Sequence, residues 1–475
     1  MKRILVAIFN QEHWHQSVAI DLAISHLKKQ DVVTILDYSN LLHRSSHKVY
    51  VSNTTKKVFP SSYPILQIVT RLKKEYKNIF SYVDEIPLNL LVSRKNISSK
   101  KVYDAVFKDL VSETKSYNPD IKSFEDKFRI KETDFLKLYN FLIKYVDSKF
   151  DLVYTYNGRF LYERALWEAC LKTKIPIKFH DRFVLGWNDK YWVWESSVHD
   201  TKYRAEVVRN FSKSSELYAK NNNKVNHRVE KWVKARENSI SQPYTSNQKI
   251  GFIRPDGYKY LVSFYTSSED ELIYSNLKSL DWPSQGKTVE RLIKLFQKKN
   301  IYFVVRVHPN LQHKSESTQI YWSKLKKSVS ELDNVKIILP LDKVKSYDLL
   351  NSSDVVITSG STIGLEAVLR GKPMLLLGKS LYDGLDIGVK CKNINDVETK
   401  FLKVTSPDFR VNKQDAISYI NFLELGGIKF QNGKIDLKTK SINQVLDPNV
   451  YFYGNLTTRI PKWVKILNRF FPKNI

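Results

Sequence analysis

The segment Val355–Gly378 reads VVITSGSTIGLEAVLRGKPMLLLG. Three hydroxyl residues and a glycine follow directly after its first apolar run, VVIT. The pattern predicts a strand over Asp354–Thr358 and a helix over Thr362–Arg370. The first amide groups of a helix lack partners within it and carry a partial positive charge, so they can receive a phosphate. The polar group at this junction comprises Ser359, Gly360, Ser361 and Thr362.

Glu366 follows about one helical turn later, where a carboxylate can accept the hydroxyls of a ribose. A structural interpretation is also open, in which Ser361 or Thr362 caps the helix and Glu366 is solvated.

Two further predicted strands in this half also end in polar residues. FVVRVHPN (Phe303–Asn310) delivers Arg306 and His308 to its carboxyl end. A histidine there can protonate a departing phosphate, and an arginine can neutralise it. After strand Tyr260–Tyr265, Ser267 and Ser268 either contact a phosphate or sugar, or cap a helix with Glu271.

The first half of the chain carries a comparable group in YNGRFLYERALWEACLKTKIPIKFHDR (Tyr156–Arg182). Asp181, or alternatively Glu163, is a candidate general base. An arginine–carboxylate network that only stabilises the fold is the alternative. The residues predicted to bind an acceptor or an anion are Asn157, Gly158, Arg159, Arg164, His180 and Arg182.

The elements that position these residues alternate between strands and helices. Lys2–Phe9 reads as a buried parallel strand, followed by helical spacing and a strand at Asp31–Ser39. The same alternation restarts near residue 260. The predicted fold class is α/β, with two Rossmann-like doubly wound domains facing a cleft. We expect a first domain over 1–236, a linker over 237–250, a second domain over 251–405 and a helical tail over 406–475.

Composition narrows the function classes. The chain has 475 residues and a formal net charge of +28, which fits either a polyanionic partner or a general lysine bias. No nucleic-acid module is recognisable, so we expect no nucleic-acid partner. Cys170 and Cys391 form no metal or disulfide pattern, and a reduced, cytoplasmic protein is predicted. The N-terminal apolar run is too short for a signal peptide, and no apolar run is long enough to span a membrane.

The combination of His308-Pro309, the hydroxyl-rich STxGxEA stretch and the following Gly-Lys-Pro resembles GT-B glycosyltransferases, and in particular bacterial capsular and surface polysaccharide biosynthesis proteins. The His-Pro and serine motifs are also similar to those of sialyl- and polysialyltransferases, but the acidic motif that holds their base is absent. The resemblance extends over roughly residues 151–383.

This resemblance implies transfer of a sugar from a nucleotide donor (CMP-, UDP- or GDP-linked) to a glycan or lipid-linked acceptor, with no cofactor and no metal. Competing hypotheses are a sugar-nucleotide epimerase, a polyol-phosphate transferase and a non-catalytic glycan-assembly protein. Arg459–Asn474 alternates basic and apolar residues. This pattern predicts either weak binding to an anionic inner-leaflet surface or packing back on the first domain.

Overall fold

The computed structural model describes residues 1–9, 13–39, 63–84, 92–93, 96–114, 120–182, 190–214, 222–237, 248–267, 282, 284–309, 311, 316–378, 380–432, 434–436 and 441–443. These residues form two compact units. Unit 1 draws on 1–105, 130–197 and 427–443, and unit 2 draws on 106–129 and 198–426.

Unit 1 contains a seven-stranded sheet in the order β13-β6-β5-β4-β1-β2-β3. Strands β1 to β5 are parallel, whereas β6 and β13 add antiparallel at one edge. Continuous apolar runs build the central strands, and Ile4 to Ile8 are all buried. The strands are β1 (Arg3–Ile8), β2 (Val32–Asp37), β3 (Phe80–Val83), β4 (Leu152–Tyr156), β5 (Ile177–Arg182), β6 (Lys190–Trp194) and β13 (Ile428–Lys429).

Helices α1 (His13–Leu27), α2 (Tyr63–Glu75) and α5 (Leu161–Thr173) belong to unit 1. Helices α3 (Ser99–Thr114) and α4 (Glu125–Val146) have residues assigned to both units. Strands β14 (Lys434–Asp436) and β15 (Ser441–Asn443) pair with each other in a separate two-stranded sheet.

Unit 2 contains a six-stranded parallel sheet in the order β12-β11-β10-β7-β8-β9. The strand order reverses between β7 and β10, which is the arrangement of a doubly wound dinucleotide-binding sheet. The strands are β7 (Tyr260–Tyr265), β8 (Ile301–Arg306), β9 (Val335–Ile338), β10 (Val355–Thr358), β11 (Met374–Leu377) and β12 (Val389–Cys391). The helices are α6 (Thr201–Ser214), α7 (Asn222–Glu237), α8 (Gln285–Phe296), α9 (Glu316–Ser328), α10 (Ser346–Ser352), α11 (Ile363–Leu369), α12 (Ile394–Val404) and α13 (Gln414–Leu425).

The division into units differs from the predicted domain boundaries. Helices α6 and α7, predicted in the first domain, belong to unit 2, because both pack against α13. Arg228 on α7 donates a hydrogen bond to Asn421 Oδ1 on α13 at 2.9 Å. Of the predicted linker, residues 238–247 lie outside the described part of the chain.

The chain returns to unit 1 after α13. Ile428 pairs with Tyr191, which adds β13 beside β6. The buried Asp21 carboxylate on α1 accepts hydrogen bonds from the backbone N–H groups of Gln431 and Asn432 at 3.0 and 2.7 Å and from the Tyr191 hydroxyl at 2.8 Å. The predicted tail is therefore split between the two units. Its last part, Arg459–Asn474, lies outside the described residues.

None of the helices within the described ranges combines the length and the apolar character needed to cross a membrane.

Candidate active site at the edge of the second sheet

Strand β7 lies between β8 and β10, so the residues after these three strands share the carboxyl edge of the sheet in unit 2. Thr266 Oγ1 accepts a hydrogen bond from the backbone N–H of His308 at 2.7 Å. Ser267 Oγ donates to the carbonyl oxygen of Ser359 at 3.2 Å. The segment after β7 thus connects the histidine to the hydroxyl-rich turn, and both lie at the point where the strand order reverses.

The turn after β10 is shaped by its own hydrogen bonds. Gly360 has a φ of 95°, a conformation that side-chain-bearing residues rarely adopt. The Ser361 N–H donates to Thr358 Oγ1 at 3.0 Å, and the Thr358 hydroxyl donates to the Tyr265 carbonyl at 3.1 Å. The turn is therefore pre-formed.

Backbone amides in this turn offer donors for an anion. Helix α11 is short, and the amides of Gly364 and Leu365 already donate to the carbonyls of Ser361 and Thr362 at 3.0 Å each. Within the described part of the chain, the amides of Gly360 and Thr362 have no such partner. The amides without a partner therefore lie in the turn itself, before the helical amides that the sequence predicted to receive a phosphate.

Ser267 is held by Gln285, a buried residue at the start of α8. Its N–H donates to Gln285 Oε1 at 2.7 Å, and the Gln285 side-chain amide donates to Ser267 Oγ at 2.9 Å. Gln285 was not predicted, because no spacing rule links it to the strand end. Ser268 and the alternative helix cap that involves it lie outside the described residues.

Arg306 reaches sideways along this edge, towards the end of β9. Its side chain is buried, its Nη1 donates to the Leu339 carbonyl at 2.6 Å, and its Nε donates to Ser346 Oγ at 3.1 Å. Burial lowers the pKa of Arg306 to about 10, so the group stays charged at neutral pH. These contacts engage Nε and Nη1 beside the end of β9, and the contact of Arg306 with a donor stays a prediction.

Glu366 is also inside unit 2. Its side chain is fully buried, and Oε1 accepts a hydrogen bond from Arg236 Nε at 2.7 Å. Because the carboxylate is fully buried and Arg236 engages one of its oxygens, the geometry does not favour the predicted ribose contact. Arg236 was not predicted, since it stands 130 positions earlier in the chain.

The predicted turn after β4 in unit 1 is built by Asn157 and Gly158. The Asn157 N–H donates to the His180 carbonyl at 3.0 Å, and Asn157 Oδ1 accepts from the Arg159 N–H at 3.0 Å. Gly158 has a φ of 75°, and a Cβ there would lie 2.5 Å from the Phe179 ring. This turn therefore demands these residue types for structural reasons.

The charged residues of the following helix are largely engaged. Arg164 pairs with Glu168 at 2.7 Å and lies 4.3 Å from the centre of the Trp167 ring. The arrangement agrees with the alternative of an arginine–carboxylate network. The guanidinium of Arg159 lies 4.6 Å from the centre of the Phe160 ring, and Glu163 is buried.

His180, Asp181 and Arg182 end β5, where β6 pairs antiparallel. The His180 side chain is 1% exposed, and burial, reinforced by the neighbouring His15, lowers its pKa well below the usual range. A neutral ring does not supply the positive charge that the predicted anion contact needs. Asp181 lies opposite Trp192 and is partly exposed, which leaves it the more accessible of the two candidate bases.

Metal-binding geometry is not found among the described residues, where no three His, Cys, Asp or Glu side chains form a group that could hold an ion.

Two doubly wound units, one of which carries a pre-formed turn beside a histidine at its switch point, define a Rossmann-type α/β protein. Residues 190–401 match the family described as "Capsule polysaccharide biosynthesis protein". This match covers β6 to α12, including His308 and the turn, and for this segment it confirms the family predicted from the sequence. The family description names capsule polysaccharide biosynthesis, and the glycosyl-transfer step stays a prediction at this point. The candidate residues Asn157–Arg182 lie outside the matched segment.

Solved structures of low identity are also similar to the chain. A beta Kdo 2,4 transferase, KpsC of Thermosulfurimonas dismutans, is 14% identical, with 63% of this chain and 85% of that one covered and a TM-score of 0.36. Anabaena Alr3699/HepE in complex with UDP is 11% identical, with 91% and 96% covered and a TM-score of 0.30. Likeness at this level carries no conclusion about activity. No curated protein matches the chain.

Proposed function

We propose that this protein is a glycosyltransferase that moves a sugar from a nucleotide-activated donor to a growing capsular or surface polysaccharide or glycolipid. One observation carries the proposal. His308 and the Ser359–Thr362 turn lie on the same sheet edge at the switch point, connected through Thr266 and Ser267. Both lie in the segment that matches the capsule polysaccharide biosynthesis family.

The donor phosphate is proposed to bind at the amides of Gly360 and Thr362, with the Ser359 and Ser361 hydroxyls beside it. As the bond from the sugar carbon to the phosphate oxygen breaks, negative charge develops on that oxygen. Fixed amide dipoles and a proton from His308 stabilise this charge, so the reaction is proposed to need no resident metal. The attacking acceptor hydroxyl loses its proton to a base, for which we propose Asp181.

We also propose the acceptor and the site of action, with the resemblance to the capsule polysaccharide family as support. A polysaccharide precursor on a lipid carrier would place the reaction at the cytoplasmic face of a membrane, and the excess of basic residues suits an anionic surface. Peripheral association with the inner leaflet is therefore part of the proposal.

Replacing His308 tests the donor end of the reaction. His308 contacts Thr266 through its backbone N–H, so His308→Ala keeps that hydrogen bond and should leave the melting temperature near that of the wild type. We expect turnover to fall by about 100-fold to 10,000-fold. The assay measures nucleotide released from UDP-, GDP- and CMP-sugars, and His227→Ala, an exposed histidine on α7, is the control.

Full turnover in His308→Ala excludes the imidazole from the mechanism. Asp181→Asn should lose turnover but keep nucleotide affinity, and loss of both indicates a structural role. If no nucleotide of the panel raises the melting temperature of the wild type, the donor assignment is wrong.

A further inference from the structure

The last turn of α7 carries an arginine that reaches the candidate phosphate turn from the side. Arg236 is 5% exposed, and its guanidinium makes two contacts on α11 and the residue before it. Its Nε donates to Glu366 Oε1 at 2.7 Å, and its Nη2 donates to Thr362 Oγ1 at 3.0 Å. The planar guanidinium thus connects Thr362, directly before α11, with Glu366, one helical turn later.

Aromatic and charged neighbours hold this arginine and its helix in place. The Trp232 ring, one turn earlier on α7, lies 4.8 Å from the Arg236 guanidinium. Glu237 pairs with Arg370 at the end of α11 at 3.1 Å, and the Arg370 guanidinium lies 5.3 Å from the centre of the Tyr347 ring. The last turn of α7 therefore contacts both the start and the end of α11.

The ion pair is charged and costly to bury. Burial alone would lower the pKa of Arg236, but the Glu366 carboxylate outweighs it and the pKa ends above its usual value. A buried ion pair is often no more stabilising than an apolar pair of the same volume, so stability alone is a weak reason to have one here. The second contact of Arg236, to Thr362, connects the ion pair to the candidate phosphate turn, because Thr362 carries one of the two backbone amides in that turn that have no partner.

We infer that Arg236 is a positioning residue that fixes the Gly360–Thr362 turn for the donor phosphate, with Glu366 as the anchor that orients its guanidinium. The inference rests on the proposed function, since it names how that same turn is held. A lysine at this position can pair with Glu366 as a point charge but cannot present two donors in one plane to Glu366 and Thr362. An Arg236→Lys change therefore keeps the positive charge beside the turn but loses the contact that fixes the orientation of the turn.

Arg236→Lys is the primary test, with Arg228→Lys as the matched control. Arg228 lies two turns earlier on α7, and its contact is Asn421 on α13, away from the turn. Titration with UDP, GDP and CMP should show, for whichever nucleotide the wild type binds, about tenfold weaker binding in Arg236→Lys, because small displacements of binding groups are expensive. The donor KM should rise and the acceptor KM should stay unchanged, which general destabilisation would not produce.

Hydrogen exchange supplies a readout that needs no ligand. Amides of residues 359–366 should exchange faster in Arg236→Lys than in the wild type or in Arg228→Lys. Should the lysine variant fail to fold, Arg236→Met combined with Glu366→Leu removes both charges and keeps apolar volume, so it should fold and still bind nucleotide weakly.

Unchanged nucleotide affinity together with unchanged exchange of residues 359–366 overturns the inference. A wild type that binds none of the three nucleotides overturns the proposed donor site, and the exchange comparison then decides by itself whether Arg236 holds the turn.

Discussion

The turn between β4 and α5 offers a sharp test of why a glycine follows Asn157. Gly158 has a φ of 75°, and a Cβ added there would lie 2.5 and 2.9 Å from two carbons of the Phe179 ring. That ring cannot retreat easily, because it is 1% exposed and packs edge-on against Trp167 with 5.1 Å between ring centres. Gly158→Ala should therefore destabilise unit 1 for two separate reasons.

The two contributions can be given magnitudes. A side chain in left-handed backbone conformation costs about 1–2 kcal/mol. An overpacked buried contact costs about 1–3 kcal/mol more. We expect a total loss of about 2–5 kcal/mol in the free energy of unfolding of unit 1, a large share of the 5–15 kcal/mol typical of a folded domain.

Gly257→Ala is the matched control. Gly257 also has a positive φ, 87°, but a Cβ there meets nothing within 4 Å. It should therefore lose only the backbone contribution of about 1–2 kcal/mol. Because the two units need not unfold together, each loss is measured in urea by hydrogen exchange of peptides from the unit that carries the change.

A double variant isolates the overlap. Adding Phe179→Leu to Gly158→Ala removes the ring edge, so the double variant should be more stable than the sum of the two single changes predicts, by about 1 kcal/mol or more. The reasoning is refuted if Gly158→Ala costs no more than Gly257→Ala, or if the two changes at Gly158 and Phe179 are simply additive.

Two further predictions concern buried thiols and an acid-sensitive contact. Burial raises the pKa of both Cys170 and Cys391 to about 12, so neither thiol should react with a disulfide reagent at pH 8 until denaturant is added, and rapid labelling of the native protein would show that burial to be wrong. A hydrogen bond from the Arg3 side chain lowers the pKa of Asp151 to about 2 from an ordinary value of 3.8, so the stabilisation from this contact is present above 3.8 and is lost as the pH falls towards 2. The difference in urea midpoint between the wild type and Asp151→Asn should accordingly shrink from about pH 5 to about pH 2, whereas Asp147→Asn should show no such trend; a constant difference contradicts it.

Much of the fold follows from the sequence because buried parallel strands are continuous apolar runs. Strand β7 begins and ends at the predicted residues, Tyr260 and Tyr265, and β10 differs by one residue. The strands that were not predicted are short. Strands β3, β6, β12 and β13 lie at or near the edges of the two large sheets, and β14 and β15 form the separate two-stranded sheet. Edge strands bury less, so they need less apolar sequence.

The site was predictable as far as the positions of strand ends, and no further. His308 and Ser359 could be placed on one edge because residues after parallel strands meet there. The direction of a side chain could not be predicted, as Arg306 demonstrates by reaching sideways to the Leu339 carbonyl after β9. The partner of Glu366 could not be predicted either, since Arg236 stands 130 positions earlier in the chain, on a helix that was predicted to belong to the other domain.

The late return of the chain to unit 1 has a consequence for synthesis on the ribosome. The sheet of unit 2 uses a single stretch, from Tyr260 to Cys391, and can close once that stretch has emerged. The edge strand of unit 1 and the amides that satisfy the Asp21 carboxylate come from residues 428–432, which emerge afterwards. Nascent chains usually complete their domains from the amino end. Here the amino-terminal unit is the one that must wait, because the buried Asp21 carboxylate lacks two of its backbone donors until translation has passed through the whole of the neighbouring unit.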